Sequence, residues 1–337
     1  MAISSVLGSS ALLPAGLGFR NVLINGDFKV WQRGTSTAFT ATASTSFLAD
    51  RWSGYRGVAG STQSRVSSGL SGFQYALRMQ RDSGNTSTNR IYIGQSFETS
   101  TIATFAGKRM ALSFYARAGS NFSASSSLFR VMVFSGTGTE CNVVHVAPTS
   151  ITTDLDTTFT LTTSWQLFTV SYDVPSGVTQ HGIQLDFTPV GTAGAADYVD
   201  ITGVQLEQNN QPTPFEQRPI GVELALCQRY FHKTLDNGST NEGVSLWGSA
   251  TISTQAQIFL MPPVTMRSQP TAISTALNIV DGQSVYAVTS TTVRTDVSSK
   301  NAVLIAFNVA SGLTQFRPYY ARAQDGSSGF ISLSAEL

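Results

Sequence analysis

The side chains able to do chemistry in this sequence are few and poorly grouped. Its three histidines, His145, His181 and His232, stand far apart. Cys141-x-x-x-His145 is a lone pair with no second pair of ligands at metal-binding spacing. The chain has no G-x-S-x-G, no phosphate-binding glycine loop and no H-E-x-x-H. Glycoside hydrolysis needs two carboxylates facing each other across about 5–10 Å. The acids Asp50, Glu98, Asp154, Asp156, Asp186 and Asp200 are scattered instead. The expectation is a chain that is not an enzyme and carries no cofactor. Sugar binding asks for other groups: flat aromatic faces against C–H bonds, and side-chain amides for hydroxyls. Tyr55, Tyr92, Trp247, Tyr286, Tyr319 and Tyr320 are the aromatic candidates, whereas Trp31, Trp52 and Trp165 read as core. Phe316-Arg317-Pro318-Tyr319-Tyr320 is the densest aromatic and cationic cluster. It reads either as a glycan-contact loop or as a contact between subunits. The glycan reading assigns Trp247, Tyr286, Arg317, Tyr319 and Tyr320 to the ligand.

Composition narrows the setting. The 337 residues are 41% hydrophobic, enough for proper cores, but only 12% charged, about half the usual ~25%. Ser, Thr, Gly and Asn fill the surface, as suits sandwiches with many turns. The net charge is +1 and no long basic run exists, so electrostatic capture of nucleic acid is not expected. No stretch approaches the ~20 apolar residues of a membrane span, so no membrane insertion is expected. Two cysteines, Cys141 and Cys227, are too few for a disulfide scaffold and read as buried free thiols. The N-terminal MAISSVLGSSALLPAGLGF has no basic residue ahead of its apolar ones, and Pro14 interrupts it. It does not read as a signal peptide.

The elements that must position these groups are mostly short strands. Residues 20–211 predict one long all-β domain, with about ten strands in a sandwich or barrel. The predicted strands include 22–30, 47–55, 74–80, 91–93, 110–116, 128–134, 141–146, 165–172, 182–187 and 198–207. Gly203 falls inside the last of these and predicts a bulge that resets its alternation. The hydrophobic period then changes. Pro212 and Pro214 forbid ladder bonds, and Pro219 suits a helix start. Residues 212–233 therefore read as linker and connector helix, about 13 residues and ~20 Å long. Ile220, Leu224, Cys227 and Phe231 make one apolar stripe; Val222, Leu226 and Tyr230 make another. A helix apolar over most of its circumference must be covered. The cover is either a sheet of the same chain or other subunits. Asn237-Gly238 predicts a turn. Residues 234–337 predict a second, smaller β-sandwich, and residues 1–19 an uncharged arm, either a tether or a tail.

Several segments carry a resemblance. Residues 198–233, with the core PTPFEQRPIGVELALCQRYF, NVLINGDFKVWQRGTS (21–36), ADRW (49–52) and the final SAEL (334–337) resemble tail-fibre proteins of bacteriophages infecting marine and freshwater bacteria. NGDF followed by Trp is also similar to jelly-roll carbohydrate-binding modules. The resemblance implies a virion protein of the tail, made in the bacterial host cytoplasm, that binds host-surface glycans. It implies an N-terminal jelly roll whose first and last strands meet. It further implies attachment to a phage structural protein through residues 1–19, and a homotrimer with Ile220, Leu224, Cys227 and Phe231 at the subunit interface. A capsid-decoration or head-fibre protein, or a secreted glycan-binding or glycan-degrading protein, would fit the same modules. Such modules often hold calcium where Asp27 and Asp200 would lie, although Lys29 stands where the pattern has an acid.

Overall fold

The computed structural model describes residues 19–39, 45–56, 60–235, 243–324 and 329–337. The expected arm and the turn at Asn237-Gly238 lie outside the described residues. The chain is all-β, with a jelly-roll sandwich first, as the alternation predicts. One sheet orders its strands Ser36–Phe39, Ser61–Ser67, Tyr75–Arg81, Tyr198–Glu207, Arg109–Ala118 and Gln166–Asp173. The facing sheet orders Thr45–Phe47, Ser53–Arg56, Ile91–Ser96, Gln180–Phe187, Leu128–Thr137 and Thr149–Thr160. Every strand pair is antiparallel. Met110, Leu112, Phe114 and Ala116 point inward from one sheet, and Phe129, Val131 and Val133 from the other; all seven are fully buried. Apolar burial of this kind is the main driving force, at roughly 25 cal/mol per Å².

The last strand sits mid-sheet, and its register shifts between Thr202 and Gln205. Gly203 makes that shift with φ +61. A side chain there would also collide with the rings of Phe73 and Tyr115. The bulge therefore needs glycine twice over.

Residues 22–30 do not form the expected strand. They do run beside the last strand, with Val22 N donating to Leu206 O and Val204 N to Gly26 O, both at 2.8 Å. Side-chain amides replace the rest of the ladder. Asn21 accepts from Leu206 N (3.0 Å) and donates to Val204 O (3.1 Å). Asn25 caps Val30 at both its N–H and its C=O. Two residues in left-handed conformation, Asn25 and Phe28, break any strand. Residues 141–146 are also a turn rather than a strand, because Asn142 O takes the N–H groups of His145 and Val146.

The connector helix spans Ile220–Gln228, shorter than expected. It stops because the carbonyls of Arg229 and Tyr230 accept from Arg267 N and Ala335 N, both at 2.8 Å. From Phe231 the chain becomes a strand, Phe231–Leu235, pairing with Phe330–Ser334. A sheet of that pair and Thr271–Thr275 packs with a seven-stranded sheet over a second core containing Ile258, Ile305, Phe307, Tyr319 and Leu333. In order the larger sheet runs Val285–Ala287, Leu277–Val280, Pro318–Ala323, Gly243–Ile252, Gln255–Leu260, Val303–Asn308 and Ser290–Val293.

Charged groups join the two cores. Glu336 bridges Arg33 (2.9 Å) and Arg51 (2.6 Å), and Arg267 donates to Ala335 O, Glu336 O and Glu140. Arg229 grips Glu98 with both arms of its fork, and the Tyr230 hydroxyl donates to the same carboxylate. These bonds hold the Glu98 carboxyl below its usual range against the opposing effect of burial.

Candidate functional site: a polar furrow on the jelly roll

Outward positions of an antiparallel sheet normally face water. On the second sheet they do not. The strand Gln180–Phe187 turns Ile183, Leu185 and Phe187 to the core and Gln184 and Asp186 outward, yet these two are only 3% and 1% exposed. Their neighbours rise around them. Register places Tyr92, Asp186, Arg130 and Thr158 in one row across the sheet, and Gly94, Gln184, Met132 and Asp156 in the next. Gln184 Nε2 donates to Asp186 Oδ2 at 2.8 Å. Burial raises the Asp186 carboxyl above its ordinary range, and Arg90, 3.9 Å away, counters only part of that. Arg130 forms a two-pronged pair with Asp156 on one rim.

The other rim is the turn at residues 141–146. It rests on two glycines. A Cβ on Gly94 would lie 2.6 Å from Val144 Cγ1, and one on Gly182 would lie 2.9 Å from Val143 Cγ2. The turn thereby lays His145 against Tyr92, with ring centroids 5.6 Å apart and planes at 25°. His145 Nε2 shares a 2.9 Å hydrogen bond with Ser53 Oγ. Burial pushes the imidazole down to about 4, so it is neutral at pH 7. The result is a furrow with an amide and a carboxylate in its floor, an aromatic wall and guanidinium rims. The floor groups are closed to solvent and bonded to each other, so the groups able to meet a ligand are those of the rims, with the Arg90, Arg130 and Asp156 side chains 42%, 31% and 46% exposed.

Tyr92 was legible in the sequence and Asp186 was named there only as one of the scattered acids; Gln184 and Arg130 were not named. Their signal was the polar phase of strands read only for their apolar phase. His145 was legible as a residue but placed on a strand.

A second group of chemical residues is structural. Ser135 Oγ hydrogen-bonds both Asp154 and His181 Nδ1, and Tyr172 meets His181 Nε2 at 2.9 Å. In a nucleophilic triad the imidazole stands between hydroxyl and acid. Here the hydroxyl is in the middle, and both Ser135 and His181 are fully buried. The same burial pushes His181 down to about 3.

The residues assigned from sequence to the glycan are split by the structure. Trp247 and Tyr320 lie together on the outer face of the seven-stranded sheet, centroids 5.0 Å apart, with Trp247 64% exposed. Phe259 is also exposed there. Tyr319, one residue on, faces the opposite way and is fully buried under Tyr286, its hydroxyl accepting from Thr314 N. It cannot touch a ligand. Arg317 stands at the sheet end, paired with Asp281 at 3.1 Å.

The assigned subunit interface is also divided. Cys227 and Phe231 are buried within this chain, Leu224 is half-buried and Ile220 is 57% exposed. Within Ile220–Gln228 only Glu223 and Cys227 are buried, and the four assigned residues do not form one open stripe. Cys227 is a buried thiol as expected, whereas Cys141 is only half-buried. Asp200 is claimed by Arg78 and Arg117, and Asp27 by Lys29 at 2.5 Å. No group of three or more His, Cys, Asp or Glu residues that could hold a metal ion occurs among the described residues. No helix among the described residues is long and apolar enough to cross a membrane.

No protein-family model matches the chain. No curated protein matches it either. Solved structures with a similar fold include a putative sugar-binding protein from Bacteroides thetaiotaomicron (14% identity, 56% of this chain, 100% of that chain, TM-score 0.34). The xylan-binding CBM22-1 domain of Paenibacillus barcinonensis Xyn10C is another (13% identity, 51% and 91%, TM-score 0.32). A third is the enzymatically active domain of tailspike protein 4 from bacteriophage CBA120 (10% identity, 56% and 21%, TM-score 0.33). Carbohydrate-binding modules thus stand among the structural neighbours, at a distance too great to assign this chain a ligand.

Proposed function

We propose that this chain is an adhesion protein that holds surface glycans in the furrow of its jelly roll, as a virion protein of the tail-fibre or receptor-binding kind. One observation carries the glycan part: Gln184 and Asp186 face outward yet lie sunk between an aromatic wall and guanidinium rims. The buried pair fixes the floor, and the open guanidinium and carboxylate groups around it offer hydrogen bonds to hydroxyls. The virion part is supported by the sequence likeness of residues 21–36, 49–52, 198–233 and 334–337 to phage fibres. In this reading the arm at residues 1–19 attaches to a phage structural protein, and the assembled protein is a homotrimer. Each contact is weak, and copy number raises avidity, by about 10²–10⁴-fold in favourable geometry.

Titration calorimetry against host surface polysaccharide tests the furrow. Gln184→Ala is expected to weaken binding about tenfold by loosening the floor beneath the rims, and to lower the melting temperature as well, because it leaves the buried Asp186 without its Gln184 bond. Equal affinity in a folded Gln184→Ala protein sinks the furrow as the site. Light scattering that finds a monomer at micromolar concentration removes the trimer. Labelled chain absent from purified virions removes the fibre.

A further inference from the structure

We propose that the outer face of the first sheet, opposite the furrow's sheet, is a second binding surface, for the anionic groups of an acidic polysaccharide. Register sets Ser64, Arg78, Asp200 and Arg117 in one row across four strands, with Trp165 beside Arg117. Asp200 is fully buried at the centre. Arg78 donates to it through Nε (2.7 Å) and Nη2 (3.0 Å), and Arg117 through Nε (3.0 Å) with Nη2 equally close. Nη1 of each guanidinium is left uncommitted to that carboxylate. Both side chains remain about a quarter open, at 25% and 26%.

The charge count is uneven. One carboxylate neutralises one guanidinium, so the row keeps a net positive charge. The adjoining rows carry Thr62, Gln80 and Tyr198 on one side and Val66, Ala76, Thr202, Tyr115 and Leu167 on the other. Among these described positions Asp200 is the single acid.

The guanidiniums are also held in place. Arg78 lies over the Tyr198 ring at 3.5 Å and Arg117 over Trp165 at 4.8 Å. A ring beneath and a carboxylate beside each one fix its plane, so little side-chain freedom remains to be lost on binding. Two planar forks with fixed direction suit carboxylate, phosphate or sulfate oxygens better than any mobile lysine would. Nη2 of Arg78 and Nη2 of Arg117 both lie 3.0 Å from Asp200 Oδ2, so the two guanidiniums converge and one anionic group of a polymer can meet both. Leu167, 53% exposed in the next row, offers an apolar edge to the polymer backbone.

The test measures binding of the full chain to polygalacturonate, dextran sulfate and a phosphate-bearing polysaccharide, with neutral dextran as control. Whichever acidic polymer binds identifies the anion. Wild type is expected to bind at least one of them, more weakly as salt rises, and not dextran. Arg117→Gln is expected to lower that affinity about tenfold. Asp200→Asn is expected to raise it severalfold, because it releases both forks and adds a net charge. A merely structural triad predicts the opposite sign, a less stable protein with no gain in binding. The inference is overturned by unchanged or lower affinity in folded Asp200→Asn, by equal binding of dextran, or by single-stranded DNA that outcompetes every acidic polysaccharide. Should Asp200→Asn not fold, Arg117→Gln decides alone, and retained affinity overturns the inference. Furrow variants such as Gln184→Ala leave this binding intact, so the two sites fail separately.

Discussion

On the jelly roll, the outward groups suited to a ligand are sunk and tied: Gln184 donates to Asp186, Arg130 is forked to Asp156, and His145 is pinned to Ser53. On the second core, Trp247 stands 64% exposed, its ring against that of Tyr320, its partner across the ladder. Hydrogen-bonded groups in a recess discriminate by leaving the wrong ligand's partners unpaired. Exposed rings accept almost any flat apolar surface. In the proposed reading the first region selects among ligands and the second makes general contact. Depth, more than residue type, separates them.

The sharpest test of that division lies in two adjacent tyrosines. Tyr319→Ala, which empties a buried position, is expected to cost about 3–5 kcal/mol in a urea unfolding series. Tyr320→Ala, half-buried on the outer face, is expected to cost well under half of that. Equal costs would break the distinction between core and platform on this sheet.

A smaller effect separates the ligand surfaces. Trp247→Ala is expected to lower polysaccharide affinity less than about tenfold, against the larger loss set out above for Gln184→Ala. Calorimetry with one polysaccharide and both variants checks it. A greater loss from Trp247→Ala would reverse the ranking of the two regions.

The smallest effect is in acid. His145 is depressed to about 4 from 6.5. Its neutral form is therefore the one the fold favours. That stability is fully present above pH 6.5 and is lost as pH falls through about 4. His181, depressed to about 3, acts in the same direction. Asp50, raised by burial to about 6, acts in the opposite one: its contribution is present below about 4 and is lost as pH rises through 6. Urea midpoints between pH 7 and 4 should fall less in His145→Gln than in wild type, since an amide can keep a bond to Ser53 without titrating. Parallel curves for the two proteins would show that His145 does not couple to the fold.

Much of the architecture was legible because alternation declares itself. Met110, Leu112, Phe114 and Ala116 announce a strand, and Gly203 announces its bulge. The strands Ser61–Ser67 and Thr149–Thr160 were missed because their outward and inward residues are alike polar, STQSRVS and TSITTDLDTTFT. At the entry segment the apolar pattern of a strand was present. Asn21 and Asn25 nevertheless supply from side chains the bonds that a ladder would give, and periodicity cannot register that. The furrow was half legible. Tyr92 could be named from its type, whereas the burial of Gln184 and Asp186 depends on Met132, Arg130 and the turn at 141–146, all remote in sequence. The helix was found and its cover was not, because the residues that hide Cys227 and Phe231 come from both cores.

Two absent methyl groups decide how wide the furrow is. Because Gly94 and Gly182 offer bare backbone, the valines of the opposing turn settle low, and His145 comes down with them onto Tyr92. An alanine at Gly182 would press on Val143 of the turn, whereas one at Gly94 would strike the Ile183 carbonyl of the neighbouring strand at 2.5 Å as well as Val144. In the proposed reading, the position of the rim and the groups of the floor are therefore set by different residues.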